Sequence, residues 1–264
     1  MVNNKHQPRK RFGQHFLRDQ ATIERIIAAI NAQPGENIIE IGPGKGALTI
    51  PLLIHVGEIN VVELDRDLAS YLMMRCREFG TLHIHSADAL KFDFSLFSMT
   101  ALRIVGNLPY NISTPFLFHL LGYTEHIKDM LFMLQKEVVD RICATPGNRN
   151  YGRLSIMLQY HYEVEQLFTI GPEVFSPPPR VDSAMIKLKP WSVPQYKKTD
   201  SVIFSKIVKA AFAQRRKTLR NALKGIVPST LLSDLKIAPS TRAETLPIET
   251  FVSLANMYCA NKNQ

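Results

Sequence analysis

Residues 37–47 read Asn-Ile-Ile-Glu-Ile-Gly-Pro-Gly-Lys-Gly-Ala. An apolar run, Asn37–Ile41, stops at glycines, and a helix-like segment, Ala47–Val56, follows. This predicts a buried strand, a sharp turn and a helix. Glycines let the backbone turn tightly and approach a ligand closely, and a helix N-terminus behind the turn favours negative groups. The loop is not a P-loop, because GxxxxGK[ST] is absent. Gly42, Gly44 and Ala47 do satisfy G-x-G-x-x-A. The next strand-like stretch, Glu58–Leu64, brings Glu63 to 21 residues beyond Gly42, where a carboxylate can accept both hydroxyls of a ribose. Loop and acid together specify an adenosine-type cofactor. They leave open a nicotinamide dinucleotide or S-adenosylmethionine.

Working outward, the first two-thirds of the chain alternates strand-like and helix-like segments. Helices are predicted at Ile23–Ile30, with Asp19 as N-cap, at Arg66–Phe79, Thr114–Leu121 and Glu137–Ala144. Strands are predicted at Thr81–His85, Ala101–Val105, Met130–Gln135 and Ser183–Leu188. Apolar strands separated by helices imply a doubly wound, largely parallel α/β sheet covered on both faces. Six of the 16 prolines fall between Pro172 and Pro194, and after Pro194 the patterning is helical. The expected organisation is therefore a cofactor-binding domain over 1–194 and a small all-helical domain over 195–264.

Asp88, in Ser86-Ala87-Asp88-Ala89 after the third strand, is placed to accept a hydrogen bond from a cofactor adenine amine; an Asp there also commonly caps a turn. The fourth strand closes on Gly106-Asn107-Leu108-Pro109-Tyr110. The exocyclic amine of adenine is a weak nucleophile, because its lone pair is delocalised into the ring. Asn107 offers a side-chain carbonyl to one N–H, and the Leu108 backbone carbonyl, aimed by the turn that Pro109 fixes, accepts the other. Tyr110 supplies a face on which a base stacks, worth roughly 1–3 kcal/mol. Here the sequence resembles the class I S-adenosylmethionine-dependent methyltransferases that modify amino groups. A dehydrogenase has no use for this motif.

The resemblance extends further. Arg11-Phe12-Gly13-Gln14-His15-Phe16-Leu17, the glycine loop, Asn107–Tyr110 and Val174–Ser183 together resemble the ribosomal RNA adenine dimethyltransferases. Phe212-Ala213-Gln214-Arg215-Arg216-Lys217-Thr218-Leu219-Arg220-Asn221 is similar to the branch acting on the small subunit; the macrolide-resistance branch, acting on large-subunit rRNA, is the near relative. The resemblance implies a class I fold, S-adenosylmethionine as methyl donor, and dimethylation of two adjacent adenosines in the 3'-terminal hairpin of small-subunit rRNA during ribosome assembly. It implies cofactor contacts at His15, Leu17, Gly42, Gly44, Glu63, Asp88 and Asn107. It implies target-base contacts at Asn107, Leu108, Pro109, Tyr110 and Phe175, the last as a second ring opposite Tyr110. His15 departs from the Asn of many relatives.

Lys and Arg number 32 against 23 Asp and Glu, a net charge of +9. From Ser201 to Ser233 there is no acid but seven cations: Lys206, Lys209, Arg215, Arg216, Lys217, Arg220 and Lys224. The N-terminal stretch adds Arg9, Lys10 and Arg11. Two basic blocks suit a long polyanion, so Arg215, Arg216, Lys217, Arg220, Lys224, Arg9, Lys10 and Arg11 are expected to contact RNA phosphate. If residues 214–224 are helical, Arg216, Arg220 and Lys224 share one face. An RNA-binding factor without turnover is the main alternative to an enzyme.

With 45% hydrophobic and 21% charged residues, the composition is that of a globular protein and not of a disordered one. No apolar run is long enough to span a membrane, and the polar, basic N-terminus does not read as a secretory signal. A cytoplasmic monomer is expected, with the small ribosomal subunit or its precursor as partner and no membrane. The three cysteines, Cys76, Cys143 and Cys259, form no CxxC, and reduced thiols without a metal site are expected.

Overall fold

Asp19 opens the first helix as the sequence suggests. In the structure, a computed structural model that describes residues 15–97 and 101–262, its Oδ2 accepts the Thr22 N–H at 2.7 Å. The elements in chain order are β1 (Phe16–Leu17), α1 (Gln20–Ile30), β2 (Asn37–Ile41), α2 (Thr49–Val56), β3 (Glu58–Val62), α3 (Arg66–Arg75), β4 (Thr81–His85), β5 (Leu102–Asn107), α4 (Ser113–Leu120), β6 (Ile127–Gln135) and α5 (Lys136–Ile142). There follow α6 (Arg153–His161), β7 (Tyr162–Ile170), β8 (Phe175–Ser176), β9 (Ser183–Pro190), α7 (Ser201–Ala211), α8 (Leu219–Ala222), α9 (Ser229–Asp234) and α10 (Ile248–Lys262).

Seven strands form one sheet in the order β4-β3-β2-β5-β6-β9-β7. The ladders β3–β4, β2–β3, β2–β5 and β5–β6 are parallel, and β6–β9 is antiparallel. The central strands β2, β5 and β6 are buried almost throughout, whereas β4 and β7 at the edges are half-exposed. That is the burial expected of a sheet covered on both faces. Connections reverse direction between β2 and β5, so a crevice opens beyond the carboxyl ends of these strands. Gly106 belongs to this close approach, since a Cβ there would lie 2.6 Å from the Ile41 carbonyl oxygen.

The chain divides into two compact units, Met1–Val139 with Val164–Pro190 and Asp140–Glu163 with Trp191–Gln264. The break at Pro190/Trp191 lies close to the expected 194/195 boundary. Asp140–Glu163, which the sequence reading put in the first domain, goes with the second unit. Helices α6 to α10 build that unit around Phe204, Leu219, Leu223, Leu231 and Phe251, all buried. Tyr151 donates its hydroxyl to the Leu246 carbonyl at 3.1 Å, and Trp191 Nε1 donates to the Gln159 carbonyl at 3.0 Å.

The continuous helix over 214–224 does not form. Residues 213–218 are turns and bends, and helix is confined to Leu219–Ala222. Leu219 and Leu223 turn into the core, and Gly225 (φ +78°) ends the segment. Arg216 therefore does not share a helical face with Arg220 and Lys224. All five basic residues of this stretch are exposed, and Arg215 Nη2 donates to the Arg149 carbonyl at 2.5 Å. Arg9, Lys10 and Arg11 lie outside the described residues.

Among the described residues no helix is long and apolar enough to cross a membrane. None of the three cysteines is in a disulfide.

Candidate functional site

A cleft opens at the carboxyl ends of β2 to β5. Its lining includes His15, Leu17, Gly42, Gly44, Glu63, Asp88, Asn107, Leu108, Pro109 and Tyr110. The sequence motifs, scattered over almost a hundred residues, thus converge because parallel strands deliver their last residues to one edge.

The glycine loop forms the floor. Gly42, Gly44 and Gly46 all have positive φ, which L-residues with a Cβ rarely adopt. A Cβ at Gly44 would also press on the Phe16 ring at 3.2 Å. The ladder continues one residue past the strands, with the Gly42 N–H donating to the Val62 carbonyl at 3.0 Å and the Glu63 N–H to the His85 carbonyl at 3.0 Å.

Glu63 is buried, at 6% exposure. Its Oε1 accepts the Asp65 N–H at 2.9 Å and its Oε2 the Gly44 N–H at 3.3 Å. A carboxylate has about four lone-pair sites, and the Leu64 N–H also bonds this one, so capacity for a ligand hydroxyl remains. Burial pushes the Glu63 carboxyl above its ordinary range, against the backbone N–H groups that lower it. Glu40, at the foot of the loop, is also buried and lines the cleft. Its Oε2 accepts the Thr49 hydroxyl at 2.7 Å, and burial raises its carboxyl to about 7, with Glu63 adding to the rise. Sequence reasoning missed Glu40, although it sits two residues before Gly42. Asp88 lines the cleft, and its Oδ1 also accepts the Leu90 N–H at 3.0 Å. It is at once a turn cap and a wall of the site.

At the β5 end, Asn107 Nδ2 donates to the His15 carbonyl at 3.1 Å. That bond commits the amide nitrogen and leaves Oδ1 as the acceptor for anything bound in the cleft. Leu108 is buried and its N–H donates to the Met133 carbonyl at 3.2 Å. The Pro109 carbonyl accepts the Ile112 N–H at 3.1 Å, closing the turn into α4. The Tyr110 hydroxyl and buried Ser183 share a hydrogen bond of 2.8 Å. Burial raises the Tyr110 pKa, so the ring is held as a neutral phenol.

The structure does not bring Phe175 into the lining of the cleft. Phe175 is 5% exposed and packs in the core with Leu17, Met133 and Met185. Strand β8 pairs with β1 and sets Phe175 opposite Leu17. The ring against Tyr110 is His15, with centroids 5.6 Å apart and planes at 29°. His15 Nδ1 donates to the Pro177 carbonyl at 2.7 Å.

A seven-stranded sheet of this order, with a glycine loop after β2 and a buried acid after β3, defines a class I methyltransferase fold. The family model "Ribosomal RNA adenine dimethylase" matches residues 5–260. The chain belongs to that family. It is 50% identical over 263 residues to "Ribosomal RNA small subunit methyltransferase A" of Hydrogenovibrio crunogenus, covering 98% of this chain and 99% of the relative. The protein of the same name from Chromobacterium violaceum is 51% identical over 253 residues, with 96% of both chains covered. Among solved structures, a dimethyladenosine transferase from Plasmodium falciparum superposes with a TM-score of 0.82 at 26% identity, covering 94% of this chain and 98% of that one. The 23S rRNA methyltransferase ErmE shares the fold, with a TM-score of 0.69 at 22% identity, over 92% of this chain and 99% of that one.

Among the described residues no group of three or more His, Cys, Asp or Glu is placed to hold a metal ion. His83 and His85 face Glu58 and Asn60 at 2.6 and 3.0 Å respectively.

Proposed function

We propose that this protein transfers methyl groups from S-adenosylmethionine to the exocyclic amines of two adjacent adenosines in the 3'-terminal hairpin of small-subunit rRNA, as ribosomes are assembled. The observation that carries the reading is the convergence of Asn107, with its amide oxygen left open, and buried Glu63 in one cleft. The names of the relatives favour the small subunit over the large.

The cleft's donor set fits the cofactor. Glu63 would accept the ribose hydroxyls, Asp88 the adenine amine, and the backbone of Gly42 and Gly44 would lie close against the ligand. When bound, S-adenosylmethionine supplies an electrophilic methyl carbon on a sulfonium. Asn107 Oδ1 and the Leu108 carbonyl accept the two N–H bonds of the target amine and so aim its lone pair at that carbon. Tyr110, pinned by Ser183, carries the base on its face. The methylated amine is acidic enough to lose its proton to water, so no residue need act as general base. Catalysis is positioning and electrostatics. The adenine must leave its stack, which costs a few kcal/mol, and stacking on Tyr110 offsets it. His15, which lies against Tyr110 in this structure, would shift aside or share the ring.

The test is incorporation of methyl label into undermethylated small subunits, large subunits and the naked RNA of each, followed by digestion to nucleosides. Dimethyladenosine from small-subunit rRNA is expected. Label only in large-subunit RNA, or RNA binding without label, would overturn the reading.

A further inference from the structure

The basic stretch at 215–224 is more than an exposed patch. Its second half forms one wall of a groove of about 1040 Å³, and the last turns of α10 form the other. Arg220, Asn221 and Lys224 face the groove from the first wall, and Tyr258, Asn261 and Lys262 from the second. Its lining contains three cations and no Asp or Glu. Lys262 Nζ stands 5.3 Å from the centroid of the Tyr258 ring.

A surface that contacts only duplex phosphate needs cations and no aromatic. This groove combines an aromatic ring, side-chain amides and cations, and it is ample for a nucleotide and its neighbours. Those are the parts used on unpaired RNA: a ring for the base, amides for its edge and cations for the flanking phosphates. The Tyr258 ring is half-buried, and a cation over a ring is held less strongly than a stacked base; the Lys262 side chain is long enough to move from ring to phosphate.

We propose that this groove is a second RNA site that takes one unpaired nucleotide of the substrate, with its base on Tyr258 and its phosphates on Arg220, Lys224 and Lys262. The proposal rests on the reading of RNA as the substrate and adds where a splayed nucleotide is held on the second unit.

The test is binding of the full chain to a labelled single-stranded oligonucleotide and to a duplex of equal length, by fluorescence anisotropy over a range of salt. Tyr258→Leu should weaken the single strand about tenfold with its salt dependence unchanged. Tyr258→Phe, which keeps the ring, should bind as wild type. Lys224→Gln should weaken single strand and duplex alike and lower the salt slope by about one. Equal single-strand affinity for wild type and Tyr258→Leu, or an equal loss in Tyr258→Phe, would overturn the proposal. Methyl incorporation by the wild-type protein is measured beside it. Label with no Tyr258 effect rejects the groove alone, and absence of label rejects the methyltransferase reading itself.

Discussion

The two ends of the same sheet treat their carboxylates in opposite ways. At the amino ends of β5 and β6, Arg103 makes a bidentate pair with Asp129, at 2.8 and 2.9 Å, and a third bond to Glu36 at 2.6 Å. It also donates to the Ile30 carbonyl at 2.7 Å. Burial pushes Glu36 upward, but Lys128, the Gln33 N–H and Arg103 outweigh it and hold the carboxyl at about 2. At the carboxyl ends, what acts most on Glu40 and Glu63 is burial, and both are raised. One end uses its acids to tie α1, β5 and β6 together. The other holds its acids buried beside the glycine loop, and burial raises both. Costly charge burial marks the end that carries the candidate site, and satisfied charge burial marks the structural one.

The contrast breaks most sharply at Arg103. Arg103→Leu strands the buried Asp129 carboxylate and takes one of three partners from Glu36, and should cost about 3–5 kcal/mol, a fall of about 10 °C in Tm. Methyl transfer per folded molecule, measured well below the new Tm, should stay near wild type. A variant as stable as wild type would deny the network its structural role. At the other end, Asn107→Ala should lower methyl transfer by about 10²–10³-fold, the usual cost of removing one positioned polar group. Its Tm and its retention on RNA should hardly change. Near-normal turnover would remove Asn107 from the mechanism.

The acids also give opposite pH signatures. Glu36 is depressed, so its contribution is complete above its ordinary value of 4.5 and is lost as pH falls toward 2. Glu40 is raised, so it costs nothing below 4.5 and destabilises the fold progressively as pH rises from 4.5 to about 7. Glu40→Gln keeps an acceptor for Thr49 and removes the titration. It should stabilise the protein above pH 7 by up to on the order of 3 kcal/mol, with no gain at pH 4. Equal effects at both pH values would place the Glu40 titration elsewhere.

Much of the functional end was legible because it is local. Gly42–Ala47, Glu63 and Asn107–Tyr110 are short motifs at strand ends, and parallel strands bring strand ends together. The structural end was not legible: Arg103, Asp129 and Glu36 carry no motif, and only the register of β5 with β6 sets Arg103 beside Asp129. The same limit holds for Phe175, whose motif names an aromatic but not what it packs against. Strand β7 has no counterpart in the sequence reading, because as an edge strand it exposes Glu163, Glu165 and Gln166 and lacks an apolar run. The helix expected over 214–224 is confined to Leu219–Ala222, because Thr218 is extended before it and Gly225 turns to positive φ after it.

The most direct test of the account is the calorimetric affinity for S-adenosylmethionine of wild type against Glu63→Gln. If this cleft binds the cofactor and Glu63 accepts its ribose hydroxyls, the substitution should weaken binding about tenfold or more, with Tm unchanged or slightly raised. Equal affinity in the two proteins would contradict it.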